Sequence, residues 1–303
     1  MALLVGTEDG LHELDESKGP AGIHLAGRSI DCLAPEGSAW WALTNGEDVC
    51  RSDHPGAWDQ VSTSSGQRLN CLWATAAGLL VGAEEASLLR LDQEKLQPVE
   101  AFERVDGRDD WYTPWGGPPD VRSISEDSGR AVFVNVHVGG VVRSMDGGQT
   151  FHPTIDIHTD VHQVFAPPSK PGLVLAATGA EGVAMSSDGG ETWDFVTDGL
   201  HAAYSRAVAL GETSLFASAS TGPRGGRAAV YRRPLEGSGP FERCTEGLPE
   251  WFPANIDTFC LAASGDLVAF GTDEGSVYIS EDEGGTWRAL AEGLPAVRCV
   301  AFA

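Results

Sequence analysis

Short apolar stretches alternate with clusters of Gly, Pro, Asp, Asn and Ser along the whole chain, which predicts strands joined by tight turns. One such stretch opens each unit of a recurring pattern: Ser29-Ile-Asp-Cys-Leu33, Arg68-Leu-Asn-Cys-Leu72, Arg122-Ser-Ile-Ser125, His162-Gln-Val-Phe-Ala166, Arg206-Ala-Val-Ala-Leu210 and Asp257-Thr-Phe-Cys-Leu261. A turn, a second strand ending near Gly or Thr, an acidic or Gly turn and a third strand follow each of them. The C-terminal Arg298-Cys-Val-Ala-Phe-Ala303 repeats the opening strand and stops, whereas the segment from Leu3 to Leu14 begins at what should be a second strand. The two ends therefore complete one unit, which hides two otherwise bare sheet edges. The expected fold is all-β, a seven-bladed β-propeller forming one domain over residues 1–303, with six blades if one repeat is miscounted.

Three third strands run into nearly the same sequence: Ser144-Met-Asp-Gly-Gly-Gln-Thr-Phe151, Ser186-Ser-Asp-Gly-Gly-Glu-Thr-Trp193 and Ser280-Glu-Asp-Glu-Gly-Gly-Thr-Trp287. Asp and Ser/Thr side chains in S-x-D-x-G-x-T tie down the backbone of a tight turn, Gly supplies a dihedral that other residues resist, and the aromatic packs between blades. Arg51-Ser-Asp-His-Pro-Gly-Ala-Trp58 keeps the Asp-to-aromatic spacing and reads as a degenerate fourth copy.

Composition narrows the partners. The formal net charge of −24 repels polyanions and anionic lipid, so neither nucleic acid nor a membrane is expected as a partner. No stretch approaches the roughly 18 apolar residues of a membrane span, and Met1 is not followed by a basic and apolar leader, so the expectation is a cytoplasmic monomer. Of the six cysteines, Cys32, Cys71, Cys260 and Cys299 recur in the opening strands, as small buried core residues would.

Candidate chemistry lies where the opening strands begin, because in a propeller those loops and the turns between second and third strands share one face around the central channel. Arg68, Arg122, Arg206 and Arg298, with His162 and Asp257, are aligned there. Four guanidinium groups on one face need anions between them. An anionic, carboxylate-bearing small molecule or peptide satisfies that need. A structural ring of carboxylates such as Glu8, Glu47, Glu84, Glu181 and Glu274 satisfies it equally.

Two loop insertions bring Trp111, Tyr112 and Trp115, and Trp251 and Phe252, to the same face, as walls of a ligand pocket or as caps on blade ends. His137 stands where other blades offer Thr or Gly. With His162, and with His158 and His201 nearby, it forms a candidate transition-metal site or a catalytic base.

The three Ser-x-Asp turns resemble the Asp box of the BNR-repeat propeller superfamily, which includes sialidases and other glycosidases, sortilin-type receptor domains and photosystem II assembly factors. Ala203-Tyr-Ser205 is similar to the tripeptide around the sialidase nucleophile, a resemblance that implies a catalytic Tyr204. Sialidases are six-bladed, however, and their Arg-Ile-Pro motif is absent. The assembly-factor type, seven-bladed with an arginine patch, is nearer in architecture and implies binding of protein segments without chemistry. Binding module and enzyme both remain open at this point.

Overall fold

The computed structural model describes residues 1–17, 19–54 and 56–303. It contains seven four-stranded antiparallel sheets and is a seven-bladed β-propeller, so the alternative of six is not realised. In blade 1 the C-terminal strand Val297–Phe302 lies beside Ala2–Thr7, followed by Gly10–Asp15 and Gly19–His24. Leu4 faces Ala301 and Val5 faces Val300, so the chain ends meet in one sheet, as the incomplete repeats require.

The other blades follow the chain in order. Blade 2 comprises Ile30–Glu36, Ala39–Thr44, Asp48–Ser52 and Asp59–Thr63, and blade 3 comprises Leu69–Thr75, Gly78–Ala83, Ser87–Asp92 and Lys95–Pro98. Blade 4 comprises Val121–Glu126, Val132–Val136, Gly140–Ser144 and His152–Pro153, and blade 5 comprises Val161–Phe165, Val174–Thr178, Val183–Ser186 and Asp194–Val196. Blade 6 comprises Val208–Leu210, Ser214–Ala219, Ala229–Pro234 and Glu242–Arg243, and blade 7 comprises Leu261–Ser264, Leu267–Gly271, Val277–Ser280 and Arg288–Ala291.

By contact density the chain divides into two compact units, residues 1–30, 177–183 and 195–303 in the first, 31–176 and 184–194 in the second. The first is built on Leu3, Val5, Phe216, Phe270, Trp287 and their neighbours. Phe133, Val141, Ile155, Val161 and Val174 fill the core around blade 4 in the second. In both, alternate residues of the second strands are apolar on both faces, as strands sandwiched between blades must be.

All six cysteines are buried and unbridged. Four lace successive first strands: in the second unit the Cys32 thiol donates to the Leu72 carbonyl and Cys71 to Val121, and in the first Cys260 donates to Val297 and Cys299 to Ile30. Burial pushes the Cys32 thiol up to about 12 and raises those of Cys71 and Cys260 as well. These are core groups, not nucleophiles.

The three Ser-x-Asp turns share one bond network. The Ser144 hydroxyl donates to Asp146 and accepts the Gly148 N–H, and Asp146 accepts the Thr150 N–H and hydroxyl. Ser186 with Asp188 and Ser280 with Asp282 repeat it. Phe151, closing the first of these turns, packs edge-on against Phe102 at 5.4 Å. The segment 51–58 departs from the pattern. Ser52 lies opposite Trp40 as Ser144 lies opposite Val132, so Ser52 takes the box serine position and Asp53 comes one residue early. Asp53 bonds Arg51 instead, and Pro55 of that segment lies outside the described residues.

Candidate functional site

The register corrects the alignment of the strand starts. Cys71, Ser123, Ala207, Cys260 and Cys299 each pair with the same point of a second strand, at Gly82, Asn135, Ser218, Gly271 and Gly6. Arg122, Arg206 and Arg298, each one residue before such a point, are therefore equivalent. Arg68 and Asp257 lie further upstream, three residues before Cys71 and Cys260; the one-residue bulge that holds Arg122 and Arg298 is occupied in Arg68's blade by Asn70.

In the first unit the carboxylate reading accounts for two of the arginines. Arg206 is held at 2.9 Å by Asp257 and donates to the Tyr204 hydroxyl at 2.8 and 3.1 Å. Arg298 bonds Glu8, from the turn after Ala2–Thr7, and Asp273, from the turn after Leu267–Gly271. Tyr204 thus has a guanidinium against its hydroxyl, and the seven-blade count speaks against the sialidase resemblance. Arg206, Arg224 and Arg298 line a cavity of about 210 Å³ together with Asn255, Asp257 and Asp273. Arg224 is exposed and makes no ion pair among the described residues.

The aromatic insertions divide between core and surface. Trp111 is not a pocket wall: it is 5% exposed, tilted against Phe102 and covered by the Arg108 guanidinium. Phe252 is likewise buried, against Phe270 and Tyr278, and Trp251 lies between Arg227 and Arg243. Tyr112 and Trp115 do stand out, at 62% and 65% exposed.

Two of the candidate histidines meet in the second unit. His137 sits in the turn after Val132–Val136, its N–H on the Asp120 carbonyl, and His162 is the second residue of Val161–Phe165. Their rings lie 5.5 Å apart. Asp160, which sequence reasoning missed, joins them: its Oδ1 is 3.1 Å from His137 Nε2 and 3.4 Å from His162 Nε2. The signal was available, because residues two apart leave a strand on one face and Asp160-Val-His162 has that spacing. Burial lowers the His137 pKa, with Arg122 and His162 adding to the effect and Asp160 opposing it. Burial also pushes Asp160 up, but the two imidazoles outweigh it and hold the carboxyl well below its ordinary range. Trp115 packs on His137 at 5.2 Å.

His158 is exposed, with its N–H on Asp156. The His201 Nδ1 is 2.7 Å from the Tyr231 hydroxyl in the first unit. Neither joins the cluster. Arg68 packs its guanidinium beside Gly46, and its N–H reaches the Glu84 carboxylate at 2.9 Å.

No known protein family and no curated protein matches the chain by sequence. Solved structures do match it in fold. A GH74 xyloglucanase from Xanthomonas campestris superposes with a TM-score of 0.70 at 16% identity, over 96% of this chain and 52% of its own. An ancestral GH74 enzyme gives 0.65 at 14%, over 96% and 40%. YCF48 bound to D1 peptide gives 0.60 at 12%, over 88% of this chain and 84% of its own. The chain thus spans about half or less of the two GH74 proteins and most of YCF48. At such identities the likeness is one of fold, and the propeller architecture is what it supports.

Proposed function

We propose that this protein is a peptide-binding propeller that takes a carboxylate-bearing segment at the cavity of Arg206, Arg224 and Arg298. The observation that carries the reading is Arg224, an exposed guanidinium without an ion-pair partner among the described residues, at the rim of a concavity where two further arginines are held in place. Three arginines and two aspartates line the cavity, with Glu8 also bonded to Arg298, in a chain whose net charge is −24. The fixed pair sets geometry, and the unpaired one supplies the attraction.

Size narrows the ligand. A cavity of about 210 Å³ is smaller than the roughly 300–1,000 Å³ that encloses a drug-sized molecule. It accommodates a carboxylate and its immediate neighbours, with the remainder of the ligand outside, which suits a side chain or chain end of a peptide. The neighbour YCF48 is described as bound to a peptide, and this chain covers most of its length. The GH74 neighbours contribute a name alone, at 14–16% identity.

The test is a panel of fluorescent peptides in matched carboxylate and amide forms, measured by anisotropy. The carboxylate forms should bind more tightly, and Arg224→Ala should weaken them about tenfold, which corresponds to about 1.4 kcal/mol, with an unchanged melting temperature. Equal binding of both forms, indifferent to Arg224, would overturn the reading.

A further inference from the structure

The geometry points to a second site, distinct from the arginine cavity: we infer that His137, Asp160 and His162 bind one divalent transition-metal ion through two imidazole nitrogens and a carboxylate oxygen. The three ligand atoms lie within 4.8 Å of one another. Atoms about 2.0–2.2 Å from a common ion stand roughly 3.0–3.5 Å apart at tetrahedral or octahedral angles. The two measured separations from Asp160, 3.1 and 3.4 Å, fall in that span. The two imidazole nitrogens, within 4.8 Å of each other, complete the triangle.

Two further features single this cluster out. The turn that delivers His137 is strained: Val138 has φ of 53°, a left-handed conformation that a β-branched residue rarely adopts. The corresponding turn of blade 2 carries Asn45 and Gly46 in that region, residues suited to it. Strain of this kind, of order 1–3 kcal/mol, is kept where the surroundings over-determine a position. Here the surroundings are the His137 N–H on Asp120 and the Gly140 N–H on Thr159. The cluster is also half-enclosed, with His162 fully buried, His137 nearly so and Asp160 29% exposed. An exposed Trp115 ring lies over His137.

Donor chemistry selects the ion. Two imidazoles and one carboxylate suit zinc, iron, cobalt or nickel, and suit magnesium and calcium poorly because those prefer oxygen ligands throughout. Three protein ligands fill neither a tetrahedral nor an octahedral shell. The remaining positions take water or an exogenous oxygen or nitrogen ligand, as in sites that bind small molecules rather than in closed structural ones. If the three side chains served only each other, Asp160 would simply accept from both imidazoles, and no metal would enter.

The experiment titrates chelator-treated protein with Co²⁺ in about 10 mM Mg²⁺, which occupies the acidic surface without competing for imidazole. One Co²⁺ per chain should bind, with visible ligand-field absorption and saturable quenching of tryptophan emission. His137→Gln and Asp160→Asn should each weaken binding more than about a hundredfold, beyond the roughly 10–100-fold that loss of an outer-shell contact costs, with circular dichroism unchanged. Trp115→Phe should remove most of the quenching and leave the absorption. Absence of stoichiometric Co²⁺ binding to the wild-type chain overturns the site, whatever the variants do. So does undiminished affinity in folded His137→Gln and Asp160→Asn proteins.

Discussion

At the scale of single residues, the carboxylates of the Ser-x-Asp turns show how a small polar side chain replaces backbone pairing. Asp146 accepts three hydrogen bonds from Gln149 and Thr150 and one from Ser144, so its charged form is favoured. Bonds from Thr150 chiefly hold its pKa well below the ordinary carboxylate value, Thr192 does the same for Asp188, and the Thr286 N–H leads for Asp282. A folded-state pKa below the unfolded value of about 3.9 gives stability that is present above that pH and lost as pH falls toward the folded value. Replacing all three by Asn should therefore lower the melting temperature at neutral pH, and the gap from wild type should narrow below pH of about 4. Thermal melts across pH 2.5–7 check this, and a gap that stays constant would contradict it. The buried Ser144 hydroxyl, joining Asp146 to the Gly148 N–H, should cost about 1–2 kcal/mol on replacement by Ala.

At the scale of the element, most blades pair small residues at one point where first and second strands face each other. Cys299, Cys71 and Cys260 stand opposite Gly6, Gly82 and Gly271, whereas Ser123 faces Asn135 and Ala207 faces Ser218. A Cβ on Gly82 would lie 2.5 Å from the Cys71 sulfur and closer still to Val121. Gly82→Ala should destabilise by about 1–3 kcal/mol, and Cys71→Ala in the same chain should restore part of the loss, since Ala207 opposite Ser218 is the same compromise made elsewhere. Denaturant melts of the two single variants and the double test this, and strict additivity would argue against a shared volume. A second regularity is an arginine on the third strand that clasps the next blade's turn. Arg90 donates to the Gly147 carbonyl, Arg143 to Gly189 and Arg232 to Glu283. Sequence reading passed over these residues, because nothing in an isolated Arg shows which turn will come within its reach. They account for part of a small arginine complement and are structural.

At the scale of the whole molecule, charge is the dominant fact. Forty-four acidic and 20 basic side chains give −24 on a chain of 303 residues, and the compact state concentrates that charge. The screening length falls from about 30 Å at 0.01 M salt to about 3 Å at 1 M, so added sodium chloride should raise the melting temperature. A melting temperature that is flat or falls over that range would show that specific ion pairs outweigh the general repulsion. The same field makes an unpaired Arg224 and a half-enclosed imidazole pair stand out against the rest of the surface, and it is why magnesium must be present when cobalt is titrated.

The blade count, the joining of the chain ends in one sheet, the box turns and the burial of the cysteines were all legible in the sequence, because each depends on a local pattern: strand alternation, a turn that demands Asp and Gly, a repeat interrupted at both ends. Even there, the sequence alignment set Arg68 and Asp257 beside Arg122 although they lie two residues further from the paired position, and Asp53 coming one residue early concealed the serine at Ser52. Contacts between distant residues were decided only by the tertiary structure. Trp111 and Trp115 come from one loop and look alike in sequence, yet one is core and the other lies over His137. Whether an arginine meets a ligand or a carboxylate depends on turns from neighbouring repeats, which is how Arg298 came to be paired by Glu8 and Asp273. Asp160 acquires its meaning only when a strained turn 23 residues upstream brings His137 within 3.1 Å. Periodicity sets the strands because it is a property of neighbours along the chain; a site assembled from several repeats is a property of neighbours in space.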